Sequence, residues 1–236
     1  MLDILFEKNH YDEIIEKELI SEFLINDGEV IKVKVPSVNC ILGDKLTAFS
    51  PNTTGIPYDK DKELEIIKQL FDVSNLFDNC DNIKVVNNTF IKIAEQELVY
   101  RNMSNYNYID VLNDIFDTSV IIAFRGSVDR EVFTKLETGI KRIKNYIFSG
   151  NFNIEEAVLC SSKSAYLAML IKNNIDDIEF YNPRSDITNL TITHPMFRKN
   201  FKTIKKISLE AYYYWFKAIQ IYELSSLDEV VSSIEK

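Results

Sequence analysis

Lys45 raises the first chemical question in this chain. Val38, Ile41, Leu42 and Phe49 recur at helical spacing and mark one apolar stripe, and Lys45 falls on it, seven residues after Val38 and four before Phe49. A lysine facing inward is costly unless its ammonium meets an anion or a carboxylate. The plainer reading places Lys45 at the edge of the stripe, with its ammonium reaching water. Further on, Glu65, Lys68 and Asp72 fall on one line of a second helix, at i, i+3 and i+7. A solvated face with an ordinary ion pair would also explain them, although Lys before Asp is the less favoured order for such a pair.

Other constellations have weaker chemistry. Arg198, Lys199, Lys202, Lys205 and Lys206 cluster where the last long helix is expected to begin. Cations there oppose the helix dipole, so the cluster suits an anion such as RNA, or simply a solvated basic face. The run Tyr212–Phe216 could stack bases, but it wraps more than half of a helix, so most of it belongs to core or interface. Asp110, Asp114 and Asp117 share a helical face and could hold a metal, or form a like-charged surface. Cys160-Ser-Ser-Lys-Ser164 has no histidine base at hand for nucleophilic catalysis.

The elements that must position these residues form an α+β pattern. Leu2–Phe6 reads as a short buried strand; Asp3 interrupts it, which fits a terminal residue facing water. Glu18–Ile25 and Glu29–Val35 read as two strands joined through Asn26-Asp27-Gly28, a hairpin signal. Val30, Lys32 and Lys34 face one way, and Ile31, Val33 and Val35 the other. A helix is expected from Pro36–Ser37, then a loop rich in Pro, Asn, Thr and Gly, then a helix over 60–77. Helices are predicted over 84–101, 108–124, 128–148, 154–172 and 199–224; Ser119–Phe124 could also pass for a strand. The organisation is a small α/β portion over 1–58 followed by a helical bundle over 59–236, with a soft boundary.

The 236 residues suffice for one large or two small units with a real core. A formal net charge of −9 disfavours general nucleic-acid binding but leaves room for a local basic cleft. Cys40, Cys80 and Cys160 have neither disulfide-framework nor zinc spacing. Two histidines, His10 and His194, leave little material for a metal site or a catalytic triad. No signal peptide and no membrane span are apparent, so the cytoplasm is the expected compartment.

The stretch from Pro36 to Phe77 resembles the AbiEii/AbiGii family of nucleotidyltransferase-like toxins, found in bacterial abortive-infection (phage-defence) and type IV toxin–antitoxin systems. The likeness is carried by GDKLTAFSPNTTGIPY and KQLFDVSNLF. A Lys-x-x-Ala element matches Lys45-Leu-Thr-Ala48, and a Lys-Asp-x-x-Asp-like element matches Lys68-Gln-Leu-Phe-Asp72. Gln69 stands where the second element usually has its first Asp, which leaves Asp72 as the candidate and puts position 69 in doubt. Beyond the first third of the chain the likeness is only a loose helical one.

The resemblance implies a partial nucleotidyltransferase-like sheet and the transfer of a nucleotide from a nucleoside triphosphate to RNA or protein. In the wider polymerase-β-like superfamily, three carboxylates and two Mg²⁺ ions align the displacement. By that likeness Asp3 is the candidate third carboxylate and metal ligand. Lys45 would contact phosphate, Lys68 would assist nucleotide binding, and Asp72 would line the far wall, orienting a base or a lysine. A cognate antitoxin and an RNA acceptor are the implied partners. The Gly-Ser turn and Asp-x-Asp pair of that superfamily should precede Asp3, where only Met1 and Leu2 stand. Gly126-Ser127 is better explained as a break between helices. One carboxylate cannot hold two magnesium ions, so this polypeptide alone is expected to transfer no nucleotide. The alternative is a non-catalytic helical interaction module that binds an antitoxin or RNA.

Overall fold

The computed structural model describes residues 9–20, 28–147 and 151–234. The expected strand over 2–6, and Asp3 with it, lies outside the described residues. Among the described residues the chain is mostly helical, with one two-stranded antiparallel sheet.

The sheet pairs β1 (Ile14–Glu18) with β2 (Lys32–Pro36), from Ile14 opposite Pro36 to Glu18 opposite Lys32. The first strand thus precedes the predicted 18–25 segment, of which 21–25 lie outside the described residues. The acidic text around Ile14-Ile15 masks it: Asp12, Glu13, Glu16 and Glu18 dilute two β-branched residues that face Val35 and Pro36. Val33 and Val35 are half-buried while Lys32 and Lys34 are exposed, the expected alternation. Pro36 ends β2 rather than opening a helix.

Eight α-helices follow among the described residues. α1 (Val38–Ala48) starts at Ser37, whose hydroxyl accepts the Cys40 amide at 3.2 Å. α2 (Glu63–Phe77) begins a few residues later than predicted, because a short 3-10 turn at Tyr58–Lys60 ends in left-handed Asp61. α3 (Ile83–Tyr100), α4 (Tyr108–Ala123) and α6 (Ile154–Lys172) agree with their predicted spans to within a residue. Ser119–Phe124 is helical or follows directly on the helix, not a strand. α5 (Arg130–Ile143) is shorter than predicted, starting where the Asp129 carboxylate accepts the Val132 amide.

The predicted last helix is two helices, α7 (Pro195–Ile207) and α8 (Leu209–Ile234). Ser208 between them is extended and accepts the Ala211 amide at 3.1 Å, so it caps α8. The basic cluster therefore runs the length of α7 rather than sitting at the head of one long helix.

α6 is the central element. From Ala157 to Ile171 it is buried nearly all round, and it packs on α2, α4 and α8. α1 packs on α2 and α3 and shares the same core, so the expected 58/59 boundary falls between helices with common packing. Tyr212, Tyr214 and Trp215 are core residues; Trp215 stacks on Phe201 at 4.8 Å, and Tyr214 on Tyr166 at 5.9 Å. They are not a base-stacking platform. Gly126 lies at φ 78° in the turn between α4 and α5, a break between helices as expected.

Candidate functional site

α1 approaches α3 so closely at Gly43 that a Cβ there would lie 2.6 Å from the Val86 carbonyl oxygen. That contact fixes α1 and the direction in which Lys45 leaves it. Lys45 belongs to the last turn, where a cation complements the helix dipole. Its ammonium reaches α2 and sits 3.0 Å from the Asp72 carboxylate. It also donates to the Gln69 side-chain oxygen at 3.3 Å. The two elements that suggested chemistry in the sequence therefore meet in one ion pair across the α1–α2 seam.

Lys45 and Asp72 are 38% and 42% exposed, so neither expectation for the lysine holds alone: it lies at the edge of the stripe, and it has a carboxylate partner. The pair borders an open depression of about 450 Å³ lined by Ile41, Phe71, Asn75 and Leu76. Gln69, doubtful from the sequence, contributes an acceptor to Lys45. Lys68 is turned elsewhere, with its ammonium 4.0 Å from the centre of the Tyr146 ring. Asp3, the expected third carboxylate and metal ligand, lies outside the described residues.

The donor set at the pair does not fit a magnesium pair. It holds one carboxylate, already neutralised by an ammonium, and one amide oxygen. Among the described residues no three His, Cys, Asp or Glu side chains converge for a metal ion. An ammonium held at an open depression suits a phosphate oxygen.

The loop after α1 explains the Pro-Asn-Thr-Thr-Gly text. Ser50 and Thr54 hydroxyls both donate to the Thr47 carbonyl, at 2.6 and 2.7 Å, and so satisfy an acceptor at the helix end. Asp114 of α4 then fastens the loop. It accepts the Asn52 backbone amide at 2.8 Å, the Asn52 side-chain amide at 2.7 Å, and the Thr53 hydroxyl at 2.9 Å. Burial pushes the Asp114 carboxyl above the usual carboxylate range, against the opposing pull of those donors. Asp110 completes a capping box with Asn107. Of the three aspartates read as a potential metal face, two are thus engaged in structural hydrogen bonds.

The sequence reading missed Lys163. It lies inside the serine-rich run of α6 and is 4% exposed. It donates to both Asp78 carboxylate oxygens, at 2.7 and 2.8 Å, and lies 3.4 Å from Glu210. Phe77 and Tyr214 present their rings at 5.8 and 6.0 Å. Its one sequence signal was a charged residue within an otherwise uncharged helical stretch.

Comparison with protein-family models, with curated proteins and with solved structures returned no match for this chain.

Proposed function

We propose that the chain is a nucleotidyltransferase-like protein of a phage-defence or toxin–antitoxin system, of the AbiEii/AbiGii kind. In this reading Lys45 presents its ammonium to a phosphate of a nucleoside triphosphate, and Asp72 and Gln69 hold it in place until the phosphate arrives. The observation that carries the reading is the 3.0 Å pair itself: Lys-x-x-Ala and Lys-x-x-x-Asp, on separate helices, contribute the two partners. A half-exposed ion pair adds little to stability, about 0.2–1 kcal/mol, so exchanging the Asp72 carboxylate for a phosphate oxygen would cost the fold little. Magnesium chemistry and the acceptor are assigned to no described residue, and the chain alone is expected to transfer no nucleotide.

The test is nucleoside-triphosphate binding by calorimetry. Wild type should bind at millimolar affinity or better, and Lys45→Ala should bind about tenfold or more weakly, as a lost charge-assisted contact requires. Equal binding by both, or none by wild type, would overturn the phosphate role. A second assay uses labelled triphosphates, Mg²⁺ and bulk tRNA; metal-dependent transfer lost on Asp3→Ala would overturn the expected inactivity. The second reading, a non-catalytic helical module for an antitoxin or RNA, is favoured by the donor set at the pair, with its single neutralised carboxylate.

A further inference from the structure

α7 carries Arg198, Lys199, Lys202, Lys205 and Lys206 and no acidic residue, in a chain whose formal net charge is −9. Its other face is core: Phe197, Phe201 and Ile204 are buried. Every cation on the helix is therefore forced to one side, and the concentration of charge there is a property of the fold. Among the described residues Arg198, Lys199, Lys202 and Lys206 have no acidic partner. Many lysines elsewhere do: Lys45, Lys84, Lys92, Lys141, Lys163 and Lys217 each meet a carboxylate.

The cations border a preformed groove. Arg198, Lys199, Lys202 and Lys205 line a cavity of about 600 Å³ with Thr191, Ile192 and Tyr212. Lys205 builds its wall rather than waiting for a ligand. Its ammonium donates to the Thr188 and Leu190 carbonyls at 2.9 and 2.7 Å and lies 4.9 Å from the centre of the Tyr212 ring. Tyr212 donates to the Leu190 carbonyl and accepts the Ile192 amide, both at 3.1 Å. The nearby Asp186 carboxylate is taken up by the Thr188 amide and hydroxyl. The segment opposite α7 is thus fixed, and Arg198, Lys199 and Lys202 remain along the groove with their charge uncompensated.

The geometry points to a groove that binds the phosphodiester backbone of a nucleic acid. Arg198, Lys199 and Lys202 span about 6 Å of helix axis, and with their long side chains they reach two or three consecutive phosphates of one strand. A protein partner would want an apolar centre depleted of charge. Here the apolar lining residues Ile192 and Tyr212 are buried, and the accessible side chains are cationic or hydroxyl-bearing. No exposed aromatic ring lines the groove, so the contact reads backbone rather than base. This site does not depend on the role of Lys45.

The test is fluorescence anisotropy with labelled RNA and DNA duplexes of about 20 base pairs, and with polyglutamate of equal length, across a salt series. Wild type binds a duplex at low salt, with log affinity falling by about 3 per log unit of salt. Arg198→Ala/Lys199→Ala/Lys202→Ala lowers that slope by about 3 and weakens low-salt binding by about tenfold or more. Lys84→Ala/Lys141→Ala, which removes charge elsewhere on the surface, leaves affinity within about threefold. A preference between the duplexes identifies RNA or DNA as the source of the backbone. Failure of wild type to bind either duplex, equal binding by the triple variant, or polyglutamate binding as tightly would each overturn the site. Loss of triphosphate binding on Lys45→Ala leaves these outcomes unchanged, so the two readings fail separately.

Discussion

Lys45, Asp114 and Lys163 are three charged residues on apolar helix faces, and the structure answers each differently. Lys45 stays at a half-exposed edge. Asp72→Ala should therefore lower stability by about 1 kcal/mol or less, read from urea unfolding, while freeing the lysine. Asp114→Ala strands donors in the interior and should cost about 3 kcal/mol. The loss should also depend on pH. Native Asp114 holds its proton more tightly than the unfolded chain does. That contribution is fully present below the unfolded value of about 3.9 and fades as pH rises through the native one. The gap between wild type and Asp114→Ala should thus be wider below about pH 4 than at about pH 7. Lys163→Ala should cost about 2–3 kcal/mol, since Asp78 and Glu210 keep partial access to water when abandoned. Lys45 and Asp72 were legible in the sequence because spacing set them on definite helix faces. Lys163 was not, since a helix buried all round has no polar face against which one charge stands out.

At the scale of elements, close approach and capping decide more than periodicity. Gly43→Ala should force α1 away from α3 and cost about 1–3 kcal/mol, with a lower melting temperature as the readout. The Ser208 cap divides α7 from α8, and Ser208→Ala should cost about 1 kcal/mol in the same measurement. Most helices were legible because apolar residues recur at helical spacing. The α7–α8 break was not, because that spacing continues through Ile204, Ala211 and Trp215 and only backbone geometry marks the turn. β1 was hidden for the opposite reason: its alternation is short and set among acidic residues.

The whole molecule is organised around α6, and its cysteines report on that core. Cys40, Cys80 and Cys160 are free and buried, and burial pushes the Cys160 thiol up to about 12. A thiol-reactive dye should label none of the three in the native protein and all three in strong urea. Labelling of the native chain at any of them would show that the core opens locally. No helix among the described residues is long and apolar enough to cross a membrane.

Asn52 and Asp114 are 62 positions apart, and α2 and α3 lie between them. Their hydrogen bonds close a large ring, and the chain entropy lost in closing it falls once the intervening helices have docked. The fastening is expected to form late in folding, beyond the rate-limiting barrier. Loss of the carboxylate should therefore quicken unfolding while leaving the refolding rate nearly as it was. In a chevron plot the change would fall on the high-denaturant limb. The loop that carries the most distinctive text in the chain would then act as its latch against opening.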